Sequence, residues 1–297
     1  MNPTSVKDRL RNIARSKGMI FDDVLKMYAL ERAIYRISIS PYADKFVLKG
    51  GILLYALYDG DYPRATTDID LSAHHLSNNA EYIQRVFEEI LQIKCDDAIR
   101  FDNSTLQVCN ITEFKEYHGV NVSFTGYLDR TRIRVSIDVG FGDVVYLGGL
   151  RINFPVLLDS NLPSVNSYPP ESIIAEKFEA IVSLGYLSTR FKDFYDIYVL
   201  SHTRNFNGSD LVEALVATFN HRKTEFSEIA AFEPEFYDNA IAKQRWSTFI
   251  KKKKASLDLK FDDVSKSICS FLLPVAESIK NGVPFEKKWD CKSQNWN

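Results

Sequence analysis

Cysteine is sparse in this 297-residue chain: Cys95, Cys109, Cys269 and Cys291 are scattered, with no Cys-x-x-Cys pair. That spacing argues against a zinc knuckle and a disulfide scaffold, and reduced thiols in a cytoplasmic protein are the expectation. Long apolar runs are missing as well. The best candidate, Ser267 to Ala276, contains Pro274 and falls short of the roughly 18 residues that a membrane span needs. The first residues are charged throughout and lack an apolar core, so no secretory signal is expected. Neither sign of charge dominates: the formal net charge is -2, and any polyanion would have to be held by a local patch. Hydrophobic residues make up 45% and charged residues 26%, which excludes a disordered or collagen-like chain.

What is present falls into two regions. Met27, Leu30, Ile34 and Ile37 recur at helical spacing, with Asp22 and Asp23 as candidate N-caps and Pro41 ending the run. A strand is expected over Thr66 to Ser72, then a helix from about Glu81 to Lys94 with Asn78 and Glu81 as a capping box. Val120, Val122 and Phe124, and then Ile133, Val135, Ile137 and Val139, alternate as strands do. The polar connection at residues 128–131 suits an antiparallel hairpin. Pro169-Pro170-Glu171 opens a helix, and helix is expected from there to about Lys280, with a loose tail of about fifteen residues. The plan is an α+β domain over 1–160 and a helical domain over 161–297.

Candidate chemistry begins with Asp68 and Asp70. At i and i+2 on a strand both point to one face, roughly 6–7 Å apart, where two like charges call for compensation by a cation. Solvated acids at a strand end are the plain alternative. Asp138 lies on the face opposite Ile137 and Val139; if its strand lies beside the first, three carboxylates converge. Acids from two strands are what a two-metal phosphoryl-transfer site requires, and Gly140 and Gly142 leave room for a ligand. Upstream, Lys49-Gly50-Gly51 precedes an apolar helical run, where backbone N–H groups can cradle a phosphate. Lys177 falls within the apolar arc of its helix, where a lysine is costly unless it snorkels or meets a partner or substrate. Asp193 and Asp196 share a helix face, and Lys192 is spaced to pair with Asp196 on the surface.

Lys49-Gly50-Gly51, then Arg64, Thr66, Asp68 and Asp70, then Asp138, resemble the minimal nucleotidyltransferases of the DNA polymerase β-like superfamily. Glu176-Lys177 and Lys192-Asp193-x-x-Asp196 narrow the resemblance to the AbiEii/MenT-type nucleotidyltransferase toxins, over about Phe46 to Leu200. The resemblance implies a mixed or antiparallel sheet with flanking helices and a C-terminal helical region completing the site. It implies transfer of a nucleoside monophosphate from an NTP to an acceptor hydroxyl, the 3′ end of a tRNA, with release of pyrophosphate. Asp68, Asp70 and Asp138 would hold Mg²⁺ or Mn²⁺, with Asp138 also helping to deprotonate the acceptor. Lys49, Gly50, Gly51, Arg64, Thr66, Lys192 and Asp193 would contact the nucleotide. Lys177 would meet the triphosphate, positioned by Asp196. It further implies a phage-defence or toxin–antitoxin role, with a cognate antitoxin and no membrane. Ile52 departs from the family's usual Ser or Thr.

A small-molecule nucleotidyltransferase and a non-catalytic nucleotide-binding module are the alternatives. Lys251 to Lys254 is the densest basic cluster, either a solvated helix end or an RNA contact. His74 and His75 read as loop residues, and the aromatic residues as core. Lys177→Met keeps the apolar stem, so it is expected to leave packing nearly unchanged while activity falls sharply.

Overall fold

The strands of the first half are β1 (Phe46–Lys49), β2 (Ile69–Ala73), β3 (Ile99–Thr112), β4 (His118–Leu128), β5 (Thr131–Phe141), β6 (Leu150–Asn153) and β7 (Ser164–Ser167), with period-two alternation clearest in β5. They pair into one mixed sheet in the order β3-β4-β5-β2-β1-β7-β6. The computed structural model describes residues 1–112, 118–143, 149–226, 229–253 and 259–297. These fall into two compact units, Met1–Asp143 with Gly149–Ser167, and Tyr168–Asn297.

In the first unit, the expected hairpin forms: Leu128 pairs with Thr131 across a two-residue turn in which Asp129 adopts φ +52°. β5 continues beside β2 in parallel, so the DxD strand and the Asp138 strand are neighbours. Leu48, Leu71, Val139 and Val120 occupy one register row and bury the same face. The helices α1 (Pro3–Ser16), α2 (Phe21–Ser38), α3 (Gly50–Leu57) and α4 (Ala80–Gln92) complete this unit. The Phe87 ring on α4 lies 5.8 Å from Phe46 and closes the apolar face. Two caps differ from expectation. Asp22 and Asp23 sit in the first turn of α2 rather than capping it, where their charge still suits the helix dipole. Asn79, not Asn78, caps α4 by accepting from the Tyr82 N–H. The strand expected from Thr66 starts only at Ile69.

Buried charge fixes α2 in place. Arg36 forms a two-pronged ion pair with Asp97, at 2.7 and 3.1 Å, and Tyr28 donates to the Asp97 carbonyl. Glu31, fully buried, pairs with Arg32 at 2.8 Å and accepts from the Leu157 N–H.

The second unit is mostly helical: α5 (Pro170–Leu184), α6 (Phe191–Thr203), α7 (Gly208–Arg222), α8 (Pro234–Tyr237), α9 (Ala240–Lys253) and α10 (Phe261–Asn281). The apolar run around Pro274 lies inside α10, and no helix among the described residues is long and apolar enough to cross a membrane. Phe191, Phe194, Phe236, Trp246 and Phe261 form an edge-and-stack cluster, so these rings serve the core. The tail is not loose. β9 (Lys288–Asp290) pairs with both β10 (Asn295–Trp296) and β8 (Phe206–Asn207). The Trp289 indole donates to the Ser201 carbonyl and that of Trp296 to the Phe271 carbonyl. A Cβ on Gly208 would lie 2.4 Å from the Phe285 ring, so only glycine admits this contact. The short, polar-interrupted strands hid this sheet from periodicity, whereas the tryptophans are what anchor it. Lys251 is exposed on α9; the other side chains of the lysine run lie outside the described residues.

Burial raises the Glu31 carboxyl to about 7, opposed by Arg32 and the Leu157 N–H. The folded state therefore holds a proton that the unfolded state releases near the ordinary value of 4.5. Stability from this group is full below about 4.5, declines as pH rises towards about 7, and is flat above that. Urea unfolding of the wild type and Glu31→Gln at pH 5 and pH 8 should show the variant gaining relative stability at the higher pH. An equal difference at both values would show that Glu31 is charged throughout.

Candidate active site

In-register neighbours project to the same sheet face, and strands lie about 4.8 Å apart. Asp70 is in register with Asp138 on β5 and with Lys49 on β1, and Asp138 is in register with Asn121 on β4. One polar row, Lys49–Asp70–Asp138–Asn121, therefore crosses four strands directly beside the apolar row of Leu48, Leu71, Val139 and Val120. Asp68 precedes β2 by one residue and is half-buried, with the Thr66 hydroxyl 3.4 Å from its Oδ1. Asn121 donates to Asp138 Oδ1 at 2.6 Å and to the Ser136 hydroxyl at 2.9 Å, fixing the Asp138 rotamer.

The glycine pair serves two contacts. Gly50 adopts φ +66°, and a Cβ there would fall 1.9 Å from Asp70 Oδ2, so the Asp70 carboxylate rests on a side-chain-free backbone. A Cβ on Gly51 would lie 3.0 Å from Arg64 Nη2 and 3.1 Å from Thr66 Oγ1. Arg64 and Thr66 are thus gathered over the first residues of α3, whose N–H groups form an anion-favouring end. Ile52 is fully buried, so the position where the family usually carries a hydroxyl contributes to the core.

Lys49 does not stand open to a ligand: its ammonium pairs with Asp143 at 2.7 Å, both side chains largely buried. These two groups also fill the space expected at Gly140, whose Cβ would lie 3.1 Å from Asp143 Oδ2 and 3.7 Å from Lys49 Nζ. Among the described residues no three His, Cys, Asp or Glu side chains are gathered closely enough to hold a metal ion. Asp70 and Asp138 on one face, with Asp68 just before β2, nevertheless supply the hard oxygen donors that magnesium and manganese take. Lys26 of α2 donates to the Arg134 backbone carbonyl on β5. Burial lowers its ammonium below the ordinary lysine value, with Asp68 opposing that and Arg134 adding to it. His74 bonds the Ser72 hydroxyl at 3.3 Å in the bend after β2, and burial lowers its imidazole.

In the second unit, Lys177 is 8% exposed and its ammonium is clamped by Asp193 Oδ1 at 2.8 Å and Asp196 Oδ2 at 2.6 Å. Asp196 is fully buried and Lys192 exposed, so the surface pairing of those two does not describe this motif. One helical step of about 100° separates Glu176 from Lys177, which sends their side chains to different neighbours. Arg222 of α7 takes Glu176 at 3.1 Å and Glu179 at 2.8 Å, and the Thr224 hydroxyl donates to Glu179 at 2.5 Å.

Asn121, Asp143, Lys26 and Arg222 escaped the sequence reading. The alternation of β4 already places Asn121 opposite Val120 and Val122 and was a usable signal. No spacing rule links Lys49 to an acid 94 residues away, or Glu179 to Arg222.

Residues 32–267 match the family described as Nucleotidyl transferase AbiEii toxin, Type IV TA system. No curated protein matches the chain. Among solved structures, the chain is similar to a candidate nucleotidyltransferase from Helicobacter pylori at 15% identity and a TM-score of 0.48, covering 88% of this chain and 97% of that one. It is also similar to JHP933 from Helicobacter pylori, at 15% identity and a TM-score of 0.46, covering 86% and 92% of the two chains.

The contacts set two expectations. Gly50→Ala should cut nucleotidyl transfer at least a hundredfold, because its Cβ displaces the Asp70 carboxylate. Gly51→Ala, which needs the Arg64 tip to yield by only tenths of an ångström, should cost far less. Equal losses in a transfer assay would refute this division. Lys177→Met, contrary to the expectation from sequence, should destabilise the fold by about 3–5 kcal/mol, since it strands two buried acids. Adding Asp193→Asn and Asp196→Asn should recover much of that stability in thermal melts without restoring transfer. Recovered transfer in this triple variant would make the lysine purely structural.

Proposed function

The chain belongs to the AbiEii family of nucleotidyltransferase toxins and is a nucleotidyltransferase; from that premise we propose that it transfers a nucleoside monophosphate from an NTP to the 3′-terminal hydroxyl of a tRNA. The observation that carries this reading is the register row, which sets Asp70 beside Asp138 on one face with Asp68 just upstream. Asn121 holds Asp138 Oδ1, and the second oxygen of that carboxylate takes the proton from the acceptor hydroxyl. The freed oxygen attacks the α-phosphorus in line, and pyrophosphate leaves. The N–H groups of Gly50 and Gly51 hold phosphate oxygens, and Arg64 adds positive charge beside them. Lys177 is the cation assigned to the triphosphate, and Asp193 and Asp196 orient it.

Asp68, Asp70 and Asp138 are the ligands proposed for Mg²⁺ or Mn²⁺. When bound, such an ion supplies Lewis-acid neutralisation of phosphate charge. Lys49, paired with Asp143, positions the row rather than the nucleotide. Lys192 and Asp193 extend the nucleotide-binding assignment to α6. The protein would act in the cytoplasm as the toxin of a pair with a cognate antitoxin, in phage defence.

Incubation with each α-labelled NTP, Mg²⁺ and total cellular RNA should label a tRNA-sized species. Asp70→Ala should abolish labelling while its circular dichroism spectrum stays that of the wild type. Labelling within a few fold of wild type would remove Asp70 from the site, and label transferred only to small molecules would replace the RNA acceptor.

A further inference from the structure

Beyond the reacting row, the same polar face of the sheet continues along β5 towards the hairpin turn. Ser136, Arg134 and Arg132 follow Asp138 at every second position, and both arginines are exposed. Arg132 is in register with Tyr127, and Tyr127 with Arg100. The Arg100 side chain is 68% exposed and its guanidinium lies 4.8 Å from the Tyr127 ring centroid. Asp102, the acid in register beside Thr125, accepts from the Ser104 N–H at 3.1 Å and hydroxyl at 2.7 Å and lies 4.0 Å from the Arg100 guanidinium at the edge of the strip.

We propose that this strip of Arg100, Arg132 and Arg134 is the docking track for the acceptor RNA, leading its 3′ end to Asp138. The proposal rests on the RNA-acceptor reading above and assigns that acceptor a surface. In a chain of net charge -2, three arginines on one sheet face are a local concentration that overall charge does not supply. Arginines two apart on a strand stand about 7 Å apart, and each guanidinium can grip one phosphate through two N–H groups. The Arg100–Tyr127 stack adds a flat cationic platform on which an unpaired base can lie. Arg134 is four residues from Asp138, about 13 Å along the strand, so a strand end reaching Asp138 carries its phosphates a few nucleotides back over the arginines. A linear polyanion with a reactive terminal hydroxyl fits this layout; a compact anion would engage one arginine and leave the others unused.

The test uses the full chain and a cellular tRNA pool as probe, with binding followed over a salt series. Arg100→Gln/Arg132→Gln/Arg134→Gln should weaken binding at least tenfold at low salt. It should also lower the slope of log K against log salt by about two units, at roughly 0.7 per lost contact with a single strand. Each single substitution should give part of that change. Arg15→Gln/Lys17→Gln, which removes two exposed cations from α1 and its end, should leave the slope unaltered. If the wild type labels tRNA but the triple variant keeps the wild-type slope, RNA docks elsewhere and this track is wrong, while the acceptor reading stands. An equal loss in the α1 control would reduce the effect to net charge and overturn the track. A wild type that neither binds nor labels tRNA would overturn both.

Discussion

Parallel pairing of β2 with β5 is the constraint from which the site geometry follows. It sets Asp70 beside Asp138, and it does so because Leu71 and Val139, one position on, must share the opposite, buried face. A slip of β2 by one residue against β5 would send Asp70 into the core and Leu71 to the polar side, so burial enforces the register. The cost is two carboxylates on neighbouring strands. Lys49, one strand further, places a cation in the row, and Asp143 anchors that cation from beyond the end of β5. Gly50 lets the Asp70 carboxylate lie against backbone.

Much of this was legible from residue order. Alternation of Ile133 to Val139 put Asp138 on the polar face, whereas the same-face argument for Asp68 and Asp70 assumed a strand from Thr66 and β2 begins only at Ile69. Partnership across sequence distance was not legible. The resemblance assigns Lys49 to the nucleotide, and its ammonium pairs with Asp143, an acid that no local pattern marks. Element ends were equally opaque: Asn78 and Asn79 are the same residue type, and only the backbone entering α4 decides which one caps. The C-terminal sheet was missed because two- and three-residue strands carry no period. Its stability comes from indoles whose N–H groups find carbonyls on α6 and α10.

Within the helical unit, α5 distributes its charges by angle. Glu176 and Glu179, three apart, share Arg222, while Lys177 turns to Asp193 and Asp196. A buried lysine between two acids is a tightly determined arrangement, since removing the lysine leaves two carboxylates without its charge in a medium that solvates them poorly. The sequence showed that Lys177 points inward. It could not show that both acids, rather than one, are spent on holding it.

The close approach of Gly50 to Asp70 also shapes how such a chain can be inactivated by inheritance. Every non-glycine residue at position 50 carries a Cβ, and that atom meets the carboxylate whatever lies beyond it. A lineage that benefits from silencing the enzyme therefore has a broad mutational target at this one codon. The apolar row that holds the strands together is untouched by such changes. Silenced descendants should thus include chains that still fold, persist in the cell and occupy its binding partners without turning over substrate.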